Sequence, residues 1–205
     1  MVALPFKSKP VCFENMKKIA QKRFFNLENK FLDNELKNDY CKCIEEYITL
    51  NHMSSVNSRH YEDGYYMPHH CVSKPTSTTT KHRVVFDASA KASNLISLNE
   101  NLMVGPKLQA NLLDLLLKFR IFQYAFSADI EKMYRQIKIH PDDYKYHLIL
   151  WRSDSNQSLM TYALKTVTFG TSAAPYLAIK TLYQLADDEE KNYPIGANVY
   201  EMRFM

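Results

Sequence analysis

Apolar residues recur at helical spacing in two stretches near the start of the chain. Met16, Ile19, Ala20, Phe24, Leu27 and Phe31 line one face, and Leu36, Tyr40, Ile44, Tyr47 and Ile48 line a second. Residues 14–50 are therefore predicted to form two helices, with Asp33 or Asn34 as the cap of the second. Residues 51–64 are rich in Ser, Asn and His and read as a loop. The pattern then changes. Residues 65–72 and 82–87 carry β-branched and aromatic residues, and a polar, basic stretch from Lys74 to Lys81 lies between them. That combination predicts a hairpin. Residues 107–119 predict a helix with Leu108, Leu112, Leu115 and Phe119 on one face. Residues 122–129 predict a strand ending in Asp129, and 131–137 a short helical turn. Residues 146–151 and 160–164 predict strands joined by a polar loop over 152–158. Residues 173–186 predict a last helix with Pro175 in its first turn. Helices and strands mix without regular alternation, so the fold class is α+β rather than doubly wound.

Composition narrows the classes. The chain has 205 residues, 46% of them apolar and 23% charged. That suffices for one large domain or two small ones, and it argues against wholesale disorder. No apolar run approaches the ~18 residues of a membrane span, and the N-terminus lacks the apolar core of a signal peptide. No membrane association and no secretion are expected. Four cysteines in a chain of this length do not make a disulfide framework and read as reduced thiols. The net charge is +4, yet residues 1–30 hold seven Lys/Arg against Glu14 and Glu28, a local +5, which leaves the remainder near −1. A solvated basic helix face and a phosphate-facing surface both fit, and charge alone does not choose between them.

Three places can carry chemistry. Asp129 closes an apolar run and precedes Ile130. A carboxylate at a strand end suits a hard divalent cation such as Mg²⁺, and the plainer role is a cap for the following turn. Arg83 stands among Lys74, Lys81 and His82. Its guanidinium suits bidentate phosphate binding, and an ordinary exposed hairpin cation is the plainer reading. Asp87 can pair with a neighbouring base. Phe169 to Pro175 is a small-residue junction in which Gly170 permits a tight turn or close backbone approach; Ser172 as a helix cap is the plainer role. His69, His70 and Cys71 suggest a metal site only until strand geometry is considered, since neighbours on a strand point to opposite faces.

Seven stretches, in order, carry a resemblance: YMPHHCVSK from Tyr66 to Lys74, RVVFDASA from Arg83 to Ala90, SLN from Ser97 to Asn99, VGPKLQ from Val104 to Gln109, ADIEKMYRQI from Ala128 to Ile137, ILW from Ile149 to Trp151, and TVTFGTSAAPYLA from Thr166 to Ala178. Together they resemble the reverse transcriptase of BEL/Pao-type LTR retrotransposons. The resemblance implies a right-hand polymerase fold. Residues 1–64 would form an N-terminal helical region leading into the fingers, and residues 65–205 the fingers and an incomplete palm. It implies Asp129 as a metal ligand for Mg²⁺, two ions being expected in the complete domain, with Ile130 offering its backbone carbonyl. Tyr134 matches the bulky residue against the sugar of the incoming nucleotide. Arg83 matches the arginine that grips the triphosphate, with Lys74 or Lys81 as its companion. Phe169, Gly170 and Pro175 match the segment beneath nucleotide and template. The implied partners are a template-primer, RNA or DNA, and a dNTP. The implied setting is a cytoplasmic retroelement particle or the nucleus.

The chain departs from that pattern in one respect. The family carries a Tyr-x-Asp-Asp turn, and no such string occurs here. The Asp-Asp pairs are Asp142-Asp143 and Asp187-Asp188, preceded at the tyrosine position by His140 and Leu185. The chain reaches Met205 about where that turn is expected, so it reads as a fragment or decayed copy of an RNA-directed DNA polymerase, inactive alone. Loss of the hairpin that completes the palm is also expected to expose apolar sheet edge and face, an aggregation risk. The alternatives are a non-catalytic nucleic-acid-binding remnant and a host-adopted interaction protein.

Overall fold

The computed structural model describes residues 1–8, 12–31, 34–61, 63–73, 82–109, 111–121, 123–124, 126 and 128–197. Helix α1 (Met16–Glu28) buries Met16, Ala20, Phe24 and Leu27, the stripe the spacing predicts. Helix α2 (Asn34–Thr49) buries Tyr40, Ile44 and Tyr47. The cap position Asp33 lies outside the described residues. Both helices pack on strands. The first lies against β2 (His69–Ser73) and β4 (Leu148–Trp151), and the second against β1 (Met53–Val56) and β3 (His82–Phe86).

The strands form two antiparallel sheets. β2 and β3 make the predicted hairpin, with His69 opposite Phe86 and Val72 opposite Arg83. Its turn, including Lys74 and Lys81, lies outside the described residues. The second sheet has the order β1-β5-β4, where β5 is Met160–Leu164. Tyr65 and Met67 extend it, since the Met67 N–H donates to the Leu148 carbonyl at 2.7 Å and the Leu148 N–H to the Tyr65 carbonyl at 3.2 Å. With hydrogen bonds on both edges, all four residues of β4 are buried.

Strand β1 corrects the expected loop over 51–64. Two serines at its centre mute the strand signal. Pairing of Met53 with Leu164 and Val56 with Thr161 supplies what propensity does not. A 3₁₀ turn, Ser58–Tyr61, follows it.

The core is aromatic where the two sheets meet. Tyr40, Phe24, Trp151 and His69 lie within 6.1 Å of one another, centroid to centroid, wherever they touch. His69 is buried. Its Nε2 lies 2.9 Å from the Leu150 carbonyl and Nδ1 2.5 Å from the Tyr40 hydroxyl, so Nε2–H donates and Nδ1 accepts. His70 points outward. The two histidines take opposite faces as strand geometry requires, and His69 is a core residue. The four cysteines are free thiols.

Two further expectations need correction. Helix α4 spans Leu112–Ile121, later than predicted, and buries none of its residues. The shift follows from Gly105 and Pro106. Gly105 has φ +80°, outside the helical range, and a Cβ built there would stand 2.3 Å from the Tyr176 ring. The intended face fails as well, since Leu112 and Phe119 are exposed. The expected strand over 122–129 does not form among the described residues of that stretch. No described strand runs beside it, and β-propensity without a ladder does not make a strand. Tyr124 and Phe126 are exposed instead. The described residues thus form an α+β fold, closed by α5 (Ala174–Glu189).

Candidate functional site

The site begins at the exit of β3. Arg83 is exposed, on the face of the hairpin opposite the buried Phe86. After Phe86 the chain turns. The Asp87 N–H donates to the Pro68 carbonyl at 2.8 Å, and its carboxylate meets Arg23 of α1 at 2.6 Å, the basic partner the sequence calls for.

Gly170 lies directly against this exit. Its φ is +103°, and a Cβ built there would stand 2.0 Å from the Phe86 carbonyl oxygen. Only glycine satisfies both conditions. The close approach is held from the side by Asn99. Its Nδ2 donates to the Gly170 carbonyl at 2.9 Å and the Ser89 hydroxyl at 2.8 Å, and its Oδ1 accepts the Ser172 N–H at 2.7 Å. Asn99 sits on α3 (Leu98–Asn101), a single turn fixed by a capping box. Ser97 Oγ accepts the Glu100 N–H, and the Glu100 carboxylate accepts the Ser97 N–H at 2.9 Å. Those bonds, with Lys91 nearby, hold the Glu100 carboxyl below its usual range. The sequence shows Ser97 to Asn99 only as a matching string. The capping spacing of Ser97 and Glu100 is the signal that would mark a built turn here.

The turn also aims Phe169. Its ring stacks on Tyr134 with centroids 4.3 Å apart and planes inclined by 32°. Tyr134 belongs to a 3₁₀ turn, Met133–Gln136, as the sequence predicts. Burial pushes its phenol above the usual range. Phe169 keeps about half of its surface exposed, 53%. The pair is a half-open aromatic platform.

A charged cluster anchors the Tyr134 turn to α2. Arg135 has a side chain only 9% exposed. Its Nε donates to His52 Nδ1 at 2.8 Å, its Nη1 lies 3.5 Å from Glu46, and its guanidinium stacks 3.9 Å from the Tyr47 ring centroid. Lys132 reaches Glu46 at 2.6 Å. Burial alone would raise the Glu46 carboxyl, but Lys132 and Arg135 outweigh it and the pKa falls. Burial and then Arg135 depress His52. This cluster draws on 46–52 and 132–135, which no sequence window joins.

Asp129 and Ile130 are exposed, outside any helix or strand. The Ile130 carbonyl accepts the Met133 N–H at 3.2 Å. Asp129 caps nothing, because the following turn takes Lys132 as its N-cap. Ser172 does not cap α5 either. Ala173 holds that position, and Pro175 sits in the first turn as predicted. Of the sequence-derived residues, Tyr134 and Phe169 touch, Gly170 meets the β3 exit, and Pro175 follows on α5. Among the described residues no hydrogen bond or ion pair joins the Asp129 carboxylate or the Arg83 guanidinium to this group. Lys74 and Lys81 lie outside the described residues.

No group of three or more His, Cys, Asp or Glu that could hold a metal ion occurs among the described residues. Asp129 offers one carboxylate, and the carbonyl of the next residue, Ile130, already accepts the Met133 N–H. Those donors suit a single contact to a hydrated cation and are too few for a pair of ions. No described helix is long and apolar enough to cross a membrane. No family model and no curated protein matches the chain.

Proposed function

We propose that this chain is the fingers and first part of the palm of a retrotransposon RNA-directed DNA polymerase of BEL/Pao type. On this reading it holds part of a nucleotide site and lacks the full set of catalytic carboxylates. The observation that carries the proposal is the half-open Tyr134–Phe169 platform, set by Gly170 against the exit of the strand that bears Arg83. Four of the matching stretches contribute to that one locality, through Phe86, Asn99, Tyr134 and Gly170. A half-open aromatic pair, with an exposed arginine three residues up the strand that Gly170 packs on, suits a nucleotide. The ring stacks on base or sugar, and the guanidinium takes phosphate oxygens two at a time.

In this role Asp129 supplies one carboxylate to a Mg²⁺ ion when that ion is bound. Mg²⁺ would contribute charge neutralisation at the phosphates. The chain's own residues bind and orient. Arg83, with Lys74 or Lys81, holds the triphosphate. Tyr134 bounds the sugar side, and Phe169, Gly170 and Pro175 form the floor. Template and primer are partners held mainly through phosphates, so binding is salt-sensitive and weakly sequence-dependent.

Photo-crosslinking of a reactive dNTP to the chain mixed with template-primer and Mg²⁺ tests this. Label is expected in the peptides covering 130–136 and 166–172, reduced about tenfold by Arg83→Ala, the scale of one charge-assisted contact. Labelling that Arg83→Ala leaves unchanged overturns the nucleotide site. The same mixture is expected to incorporate no nucleotide. Incorporation abolished by Asp129→Ala would show that the catalytic set is complete after all.

A further inference from the structure

Helix α1 turns a second stripe outward. Lys18, Lys22 and Phe25 lie at i, i+4 and i+7, so they share one face. Both lysines are exposed, and among the described residues neither enters an ion pair. Phe25 is 39% exposed, with the Arg152 guanidinium 5.6 Å from its ring centroid. Of the two acidic residues in this part of the chain, Glu28 is already spent on Arg152, through two hydrogen bonds of 2.8 Å. The excess positive charge of the N-terminal region therefore faces solvent along α1.

The neighbouring stripe of the same helix, Lys17 and Gln21, forms one wall of a cavity of about 360 Å³. Asn57 and Ser58 form another wall, and Leu150, Leu159 and Met160 contribute apolar surface. Asn57 Oδ1 already accepts the Arg59 N–H at 3.1 Å, which leaves its amide N–H groups to donate. No carboxylate lines the cavity. Its lining sets amide and hydroxyl donors and a cation beside aliphatic side chains.

We propose that the outer face of α1 and this cavity bind single-stranded nucleic acid, with phosphates on Lys18 and Lys22, a base on Phe25, and a further base in the cavity beside Lys17. Cations interleaved with an aromatic ring form the sequence-tolerant platform that single strands use. Lysines one helical turn apart stand roughly 6 Å from each other, so each can take its own phosphate. A duplex would use the lysines and leave the ring and the cavity idle. An acidic peptide would likewise use the lysines and leave the ring idle. The site shares with the polymerase reading only the premise that the chain handles nucleic acid, and it lies on different residues.

Fluorescence anisotropy with labelled oligo-dT and oligo-rU of about 15 nucleotides tests it, between about 50 and 200 mM salt. Lys18→Glu with Lys22→Glu is expected to weaken binding at least about tenfold. It should also flatten the slope of log K against log salt by about 1.4, two phosphates at ~0.7 each. Phe25→Ala is expected to cost about 5- to 150-fold, the range of one stacked base. Lys180→Glu with Lys191→Glu makes the same change in net charge on α5 and just beyond it, and should move affinity by less than about threefold. Melting curves confirm that each variant folds. No binding by the wild-type chain, equal loss in the two lysine pairs, or an unchanged salt slope overturns the site. None of these results touches dNTP labelling at Arg83, so the two readings fail separately.

Discussion

At the scale of single residues, Gly170 and Asn99 are the most constrained positions. Gly170→Ala must relieve both a left-handed backbone and a 2.0 Å approach to the Phe86 carbonyl. The expected loss is about 1–3 kcal/mol or more, read from the urea midpoint. An unchanged midpoint would mean that the turn does not rest on β3. Asn99 is also sharply specified, because its three side-chain hydrogen bonds need both donors and an acceptor. Asn99→Asp keeps the acceptor for Ser172 and loses both donors. Amide exchange at residues 170–172 should rise at least about tenfold, with more loss for Asn99→Ala than for Asn99→Asp. Equal protection in all three proteins would count against the clamp. Arg135 differs again, because it is nearly buried among His52, Glu46 and Tyr47. Arg135→Met removes the ring stacking and the hydrogen bond to His52, and leaves Glu46 with Lys132 as its remaining partner. Glu46 is partly exposed and solvent screens it, so the expected cost is about 2–3 kcal/mol, not the full cost of a broken buried pair.

At the scale of elements, legibility follows burial. The stripes of α1 and α2, the β2–β3 hairpin, β5 and the Pro175 start of α5 could be read because each carries its own periodicity or cap. Strand β1 could not, since its two serines gain their place only through β5. The stretch 122–129 failed in the opposite sense: its residues favour a strand, but no described strand lies beside it. The candidate site divides the same way. Gly170 and Tyr134 show in the sequence, while Asn99 as a clamp and the Arg135 cluster need contacts across more than seventy positions. Helix α4 makes this testable. It is apolar and buries nothing, so its leucines face solvent. Leu113→Glu with Leu117→Glu should therefore raise the soluble fraction on expression and move the melting temperature by no more than about 2 °C, since no burial is lost. A large fall in melting temperature would place those leucines in a contact of the folded protein.

At the scale of the whole molecule, the buried histidines set how stability depends on pH. Burial pushes His69 down to about 4 against the opposing pull of the Leu150 carbonyl, and burial alone does the same to His147. His52 is depressed as well. The unfolded chain, with histidines near 6.5, binds more protons than the folded chain at every pH between those values. Stability therefore rises with pH across that window. It is complete above about 6.5 and lost as pH falls towards 4, by a few kcal/mol for each fully buried ring. Carboxylates such as Glu46, held low by their partners, add their own loss only below about 4.5. Urea midpoints measured from pH 7 to pH 4 should fall steadily from the top of this range, before any carboxylate protonates. The two core histidines should also separate on mutation. Neither ring nitrogen of His147 has a hydrogen-bond partner among the described residues, so His147→Phe should flatten the pH dependence at little cost near neutrality. His69→Phe flattens it too, but leaves the Tyr40 hydroxyl and the Leu150 carbonyl unpaired and lowers stability at pH 7. If both variants kept the wild-type slope, the acid sensitivity would have to come from the carboxylates. The core around Tyr40 and Trp151 would then have to admit a charged imidazole, which its close aromatic packing argues against.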